Sequence, residues 1–209
     1  MLEKISWFIL KLARVVVKFL DPRLCGDDGM SKRNVIPAQA GIQETHQALK
    51  ITMFFTSNLL SQAQKILRIF EKKKLKIAIA ESCTGGLLSA LFTEIPGASK
   101  VLERGFVTYS NQAKIDLLGV KKETLKNFGA VSAETAEEMA QGALKNSETD
   151  LAIAITGVAG PEEKSGLVHI AVASHGRPIV NRKFNFSGDR HEVRKASVIA
   201  ALQLLACKN

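Results

Sequence analysis

The chain has 209 residues, 46% of them hydrophobic and 23% charged, which suits one globular domain with a real core plus an extension and excludes a fibrous or wholly disordered chain. Its net charge of +9 does not point to a nucleic-acid binder, because a single Trp and a single Tyr offer bases little to stack on and no readout motif is present. Cys25, Cys83 and Cys207 are too scattered for a disulfide framework or a metal site, and His169, His175 and His191 add no ligand spacing, so a reducing cytoplasm without a metal is expected.

Residues 1–52 differ from the rest. On a helical wheel Lys4, Lys11, Arg14 and Lys18 gather on one side of a first segment whose other faces carry Ile5, Trp7, Phe8, Ile9, Leu12, Val15, Val16 and Phe19. Four internal charges argue against a spanning helix, and no small-residue cleavage site follows an apolar core. An interfacial helix at a membrane surface is the physical alternative, but no membrane association is expected. Asp21–Gln43 is broken by Pro, Gly and Asp, has no face that could be buried, and resembles the translation of palindromic repeats scattered through bacterial genomes. The expected division is therefore a dispensable extension over 1–52 and a domain over 53–209, with Met53 as an alternative start.

From Ser57 a helix is expected, with Leu59, Leu60, Ala63, Ile66, Leu67 and Phe70 at helical spacing. It ends in Lys72, Lys73, Lys74 and Lys76, a basic run beside a strand that reads as a solvated edge. Leu75–Ala80 is an apolar strand, Gly85–Phe92 a helix and Val101–Thr108 a second strand. Short helices follow over Asn111–Leu118 and Lys121–Asn127. Ser132 caps a longer one reaching about Asn146. Leu151–Ile155 is another apolar strand, and Leu167–Ser174 and Pro178–Phe186 form a hairpin around His175-Gly176-Arg177. A last helix runs from Asp189 to about Ala206. Helices alternating with apolar strands predict an α/β fold, a three-layer α/β/α sandwich around a mostly parallel or mixed sheet.

Three strands end in small, polar or glycine-rich turns: Ala80-Glu81-Ser82-Cys83-Thr84-Gly85-Gly86, Tyr109-Ser110-Asn111-Gln112-Ala113-Lys114 and Thr156-Gly157-Val158-Ala159-Gly160-Pro161. Such ends converge on one cleft at the carboxyl edge of an α/β sheet. The first turn suits either a nucleophilic serine with an oxyanion hole of backbone amides near Cys83–Gly86, or a phosphate cradle; a plain strand-to-helix turn is the simplest alternative. No Gly-x-Ser-x-Gly elbow surrounds any serine, so a lysine is the economical base. Lys114, at the opening of a short helix, can fold back to the strand end near Tyr109. Cys83, beside Ser82, is assigned to packing.

These segments, together with Pro96-Gly97-Ala98-Ser99, Leu117-Leu118-Gly119-Val120, Gly129-Ala130-Val131-Ser132 and Ser187-Gly188-Asp189-Arg190, occur in an order and spacing that resemble the CinA C-terminal domain family, which also occurs alone as nicotinamide-nucleotide amidase. The resemblance covers roughly Leu59 to Ala206. It implies deamidation of nicotinamide mononucleotide in NAD salvage, with no metal or organic cofactor. It also implies Ser82 as nucleophile with Tyr109 and Lys114, Thr156 lining the pocket, and Arg190 at a phosphate or ribose. Thr84, Gly85, Gly86, Asn111 and Gly157 complete the expected substrate-binding set. A homodimer is implied too, with the apolar helix Leu59–Phe70 as one possible contact. The alternatives are a silent nucleotide-binding module and a Ser/Lys amidase for another small amide. The nucleotide-processing domain of larger CinA proteins is not expected in residues 1–52. One departure stands out: Glu162-Glu163-Lys164-Ser165-Gly166 is shorter than the family's loop and lacks its proline.

Overall fold

The computed structural model describes residues 55–160 and 165–207. The expectations for the basic amphipathic segment, the repeat-like stretch and a start at Met53 lie outside these residues, as does most of the shortened loop, at 161–164. In chain order the elements are α1 (Ser57–Lys72), β1 (Ile77–Glu81), α2 (Leu87–Thr93), a 3-10 turn at Ala98–Lys100, β2 (Leu102–Val107), α3 (Asn111–Leu118), α4 (Lys122–Phe128), α5 (Ala133–Lys145), β3 (Leu151–Gly157), β4 (Leu167–Ser174), β5 (Val180–Asn185) and α6 (Arg190–Cys207). The sheet order is β2-β1-β3-β4-β5. β1 runs parallel to β2 and β3, whereas β4 is antiparallel to both β3 and β5. The fold is α/β, a five-stranded mixed sheet with helices packed on it.

Alternation along the strands sorts the core into two unlike faces. Ile77, Ile79, Ile153, Ile155, Val168, Ile170 and Val172 lie in the cluster with Leu59, Ile66, Phe70, Leu88, Phe92, Val193 and Leu205 of α1, α2 and α6. Ala78, Ala80, Ala152, Ala154, Ala171 and Ala173 lie under Ala136, Met139, Ala140 and Ala143 of α5. Small residues on both partners let α5 lie close to the sheet. The buried row of α1, Leu59, Ala63, Ile66, Leu67 and Phe70, packs into this core. Lys72, Lys73, Lys74 and Lys76 are exposed, as a solvated edge should be.

Some boundaries differ from the sequence expectation. β1 begins at Ile77 rather than Leu75, because Lys74 turns the chain at φ 57° and the Asp150 carboxylate holds the Lys76 amide at 2.7 Å. α2 begins at Leu87 because Gly85 and Gly86 have φ of 61° and 92°, a left-handed backbone no α-helix can contain. β5 is trimmed to Val180–Asn185. Among the described residues no helix is long and apolar enough to cross a membrane.

Candidate active site

The parallel strands β1, β2 and β3 deliver their carboxyl ends to one edge, and Ser82 follows β1 directly. Its amide donates to the Ile155 carbonyl of β3 at 2.9 Å, and the Thr108 amide beyond β2 donates to the Glu81 carbonyl at 2.8 Å. The turn is therefore tied to both neighbours of β1. Continuing the strand's alternation, Ser82 shares its face with Ala78 and Ala80, toward the side carrying α3 and α5.

Lys114 meets it there. Ser110 caps α3 by accepting from the Ala113 amide at 3.0 Å, which starts the helix so that Lys114 points inward from its first turn. Lys114 is 1% exposed, and its Nζ lies 3.1 Å from Ser82 Oγ, donating also to the carbonyls of Thr108 at 2.9 Å and Tyr109 at 3.3 Å. Burial pushes the Lys114 amine below the usual lysine range, an effect opposed by Cys83. When the amine is neutral, the two carbonyls can take its two N–H groups, leaving the lone pair to face the serine hydroxyl. That arrangement suits a serine activated by a lysine base.

A cavity of about 220 Å³ opens on the pair, lined by Ser82, Cys83, Tyr109, Lys114, Ala130, Val131, Thr156, Gly157, Val158, Ala159, Gly160 and Arg190. Five expected residues meet in it beside Ser82: Tyr109, Lys114, Thr156, Gly157 and Arg190. Thr156 is buried, and its hydroxyl donates to the Ala130 carbonyl at 2.6 Å, so it holds the Ala130–Val131 wall in place. A Cβ on Gly157 would stand 2.7 Å from the Leu167 carbonyl oxygen, so a side chain there would collide with β4.

Tyr109 stands at the mouth of the cavity. It is 61% exposed, and its hydroxyl accepts from Arg190 Nη2 at 2.9 Å; only its carbonyl reaches Lys114. Arg190 also donates to the Gly160 carbonyl at 3.2 Å, so the guanidinium and phenol together form the rim of the cavity.

Thr84, Gly85, Gly86 and Asn111 do not line the cavity. Thr84 is fully buried, its carbonyl accepting from Arg194 Nη2 at 2.8 Å. Asn111 is exposed at the start of α3. The glycines serve the backbone instead, through their left-handed conformations. The expected phosphate cradle at the start of α2 is already filled, because the Glu81 carboxylate accepts from the amides of Leu88 at 3.0 Å and Ser89 at 2.9 Å. The amides of Gly85 and Leu87 go to the carbonyls of Ser82 and Thr84. Of the turn's other amides, those of Cys83 and Thr84 face the Cys83 sulfur, and that of Gly86 makes no backbone bond among the described residues.

Cys83 packs in the core as expected, but it also forms part of the cavity wall. Burial, reinforced by the Glu81 carboxylate, pushes its thiol up to about 11, which makes it a poor nucleophile beside Ser82. Sequence reasoning passed over Glu81, Ala130, Val131 and Gly160. The signal for Glu81 was there: a single acidic residue closing an otherwise apolar strand. Among the described residues no group of three or more His, Cys, Asp or Glu is placed to hold a metal.

Fold and site together define an α/β sandwich whose strand ends enclose a buried Ser–Lys pair beneath a Tyr–Arg rim. Residues 60–208 match the CinA C-terminal domain, and the chain belongs to that family. Over 145 residues it is 52% identical to a putative competence-damage inducible protein of Caldicellulosiruptor saccharolyticus, a match taking in 67% of this chain and 35% of that protein. A CinA-like protein of Endomicrobium trichonymphae is 48% identical over 74% of this chain and 36% of its own length. The chain thus spans about a third of the length of these curated relatives. Among solved structures, the competence/damage inducible protein CihA of Agrobacterium tumefaciens superposes with a TM-score of 0.71 at 43% identity, over 73% of this chain and 96% of that one. A CinA superfamily protein of Escherichia coli gives 0.69 at 29% identity, over 87% and 100%.

Proposed function

We propose that the Ser82 pocket hydrolyses the carboxamide of nicotinamide mononucleotide, giving nicotinate mononucleotide and ammonia for NAD salvage. The observation that carries this reading is the 3.1 Å approach of Lys114 Nζ to Ser82 Oγ inside a buried pocket. Neutral Lys114 takes the hydroxyl proton as Ser82 Oγ bonds to the carboxamide carbon. The same proton passes to the departing nitrogen, the C–N bond breaks, and ammonia leaves a nicotinoyl ester on Ser82. Water then adds to the ester with Lys114 again as base, and the serine is restored as the carboxylate departs. An oxyanion donor in the Ser82–Gly86 turn supplies roughly 3–4 kcal/mol of barrier lowering. Arg190 at the rim offers a cation to the phosphate monoester.

The test is ammonia release by the purified protein supplied with nicotinamide mononucleotide. Ser82→Ala and Lys114→Ala should each remove it from a folded protein, and Cys83→Ala should keep it. Full turnover by Ser82→Ala ends the nucleophile assignment. Ammonia from other small amides but not from the nucleotide keeps the chemistry and replaces the substrate.

A further inference from the structure

Glu81 is a carboxylate with no solvent exposure, placed on the residue before the proposed nucleophile. Strand alternation sends the two side chains to opposite faces of the sheet: Ser82 to Lys114 on α3, Glu81 to the start of α2. There it accepts three hydrogen bonds, from the Leu88 amide at 3.0 Å, the Ser89 amide at 2.9 Å and the Ser89 hydroxyl at 2.8 Å. The residue at the ordinary capping position is Gly86, which has no side chain to offer. The first-turn amides of α2 are buried or half-buried and would otherwise lack partners. A strand carboxylate therefore caps the helix from five residues upstream of Gly86. Gly105 on β2 keeps this cap possible, because a Cβ there would come within 2.7 Å of Ser89 Oγ.

The consequence falls on Ser82. The Ser82–Gly86 turn spans the gap between β1 and α2, and Glu81 is the side chain that pins its far end back onto its near end. Lys114 is fixed separately, by the carbonyls of Thr108 and Tyr109. We propose that Glu81 is a positioning residue: by capping α2 from the strand end, it sets the Ser82 turn and hence the distance at which the Ser82 hydroxyl meets Lys114. It also fills the helix terminus with the protein's own anion, which directs the substrate's phosphate to the Arg190 rim.

Glu81→Gln tests this directly. An amide side chain has one acceptor oxygen and turns a donor toward a helix amide, so it cannot reproduce the cap. Two measurements are made. The kinetic one rests on the amidase reading: kcat for ammonia release from nicotinamide mononucleotide should fall at least about tenfold while KM stays within about twofold. The crystallographic one does not rest on it: in the ligand-free variant Ser82 Oγ should move beyond hydrogen-bond distance of Lys114 Nζ. A wild-type protein that releases no ammonia overturns the amidase reading and leaves the positional test standing. A variant with the pair still near 3.1 Å, or with wild-type kcat in an active protein, overturns the proposal. If Glu81→Gln does not fold, Ser89→Ala decides, since it removes one of the three donors and leaves both amides. A kcat lowered about threefold at constant KM supports the role of Glu81, and an unchanged kcat refutes it.

Discussion

Replacing Gly142 by Ala should destabilise the protein, the reverse of what helix propensity alone dictates. Gly142 is buried in α5, where α3 ends against it. A Cβ built there overlaps the Leu118 carbonyl oxygen and stands 2.6 Å from its carbon and 2.9 Å from its Cα. Carbon atoms prefer about 3.5–4.0 Å, so α3 and α5 must separate by roughly 1 Å. The obstacle is backbone, and the nearby Asn146 side chain holds the Leu117 carbonyl at 2.9 Å, so neither helix yields easily. Overpacking of this kind costs about 1–3 kcal/mol. The gain in propensity of about 1 kcal/mol leaves a net loss near the upper end of about 0–2 kcal/mol. For a protein of this size that lowers Tm by about 4–8 °C. Lys114 lies one helical turn before Leu118, so the same shift reaches the Ser82 contact. A 1 Å misplacement can cost about 100-fold in rate; because Thr108 and Tyr109 also hold Nζ, the expected fall in ammonia release is about tenfold. Thermal unfolding and the ammonia assay on Gly142→Ala measure both. A Tm at or above the wild-type value would show that α3 is not held against α5 as described.

Two further outcomes concern the pocket. Burial lowers the Lys114 pKa, and in the proposed mechanism the neutral amine is the base, so kcat/KM should rise with pH through that lowered value and then level off. The same group binds fewer protons folded than unfolded between its lowered pKa and about 10.4, so its contribution makes stability increase with pH across that window. A pH–rate profile that falls over the range, or one unaltered by Lys114→Met, contradicts the assignment. Tyr109→Phe removes only the hydroxyl that accepts from Arg190, so KM should rise about 3- to 10-fold with kcat within about twofold. A loss of about 100-fold in kcat at constant KM would instead make Tyr109 a proton carrier.

What the sequence discloses here follows from how locally each feature is determined. Strand and helix placement, though not strand order, is legible because Ile-Ala-Ile-Ala in β1 and Leu-Ala-Ile-Ala-Ile in β3 have an alternation that a sheet with two buried faces explains. The meeting of Ser82 and Lys114 was legible through the family resemblance: parallel strands bring Ser82 and the start of the Tyr109–Lys114 segment to one edge, but where the helix-borne lysine points is not set by the strands. Tyr109 was harder, since an exposed tyrosine one residue beyond a strand end can turn inward or outward. The decisive partner, Arg190, is 81 residues away. Thr84 misled because a hydroxyl in a Gly-rich turn looks like a ligand group, whereas the turn's geometry points it into the core. Glu81 shows the general limit. Its charge was visible, but its role depends on Gly86 lacking a cap and on Gly105 leaving room for Ser89, two absences that have meaning only in three dimensions. A carboxylate spent inside the protein also changes the reading of the site: the helix terminus that looked like a phosphate cradle is occupied from within, and under the proposed function the cation offered to an anionic substrate is Arg190 at the rim of the pocket.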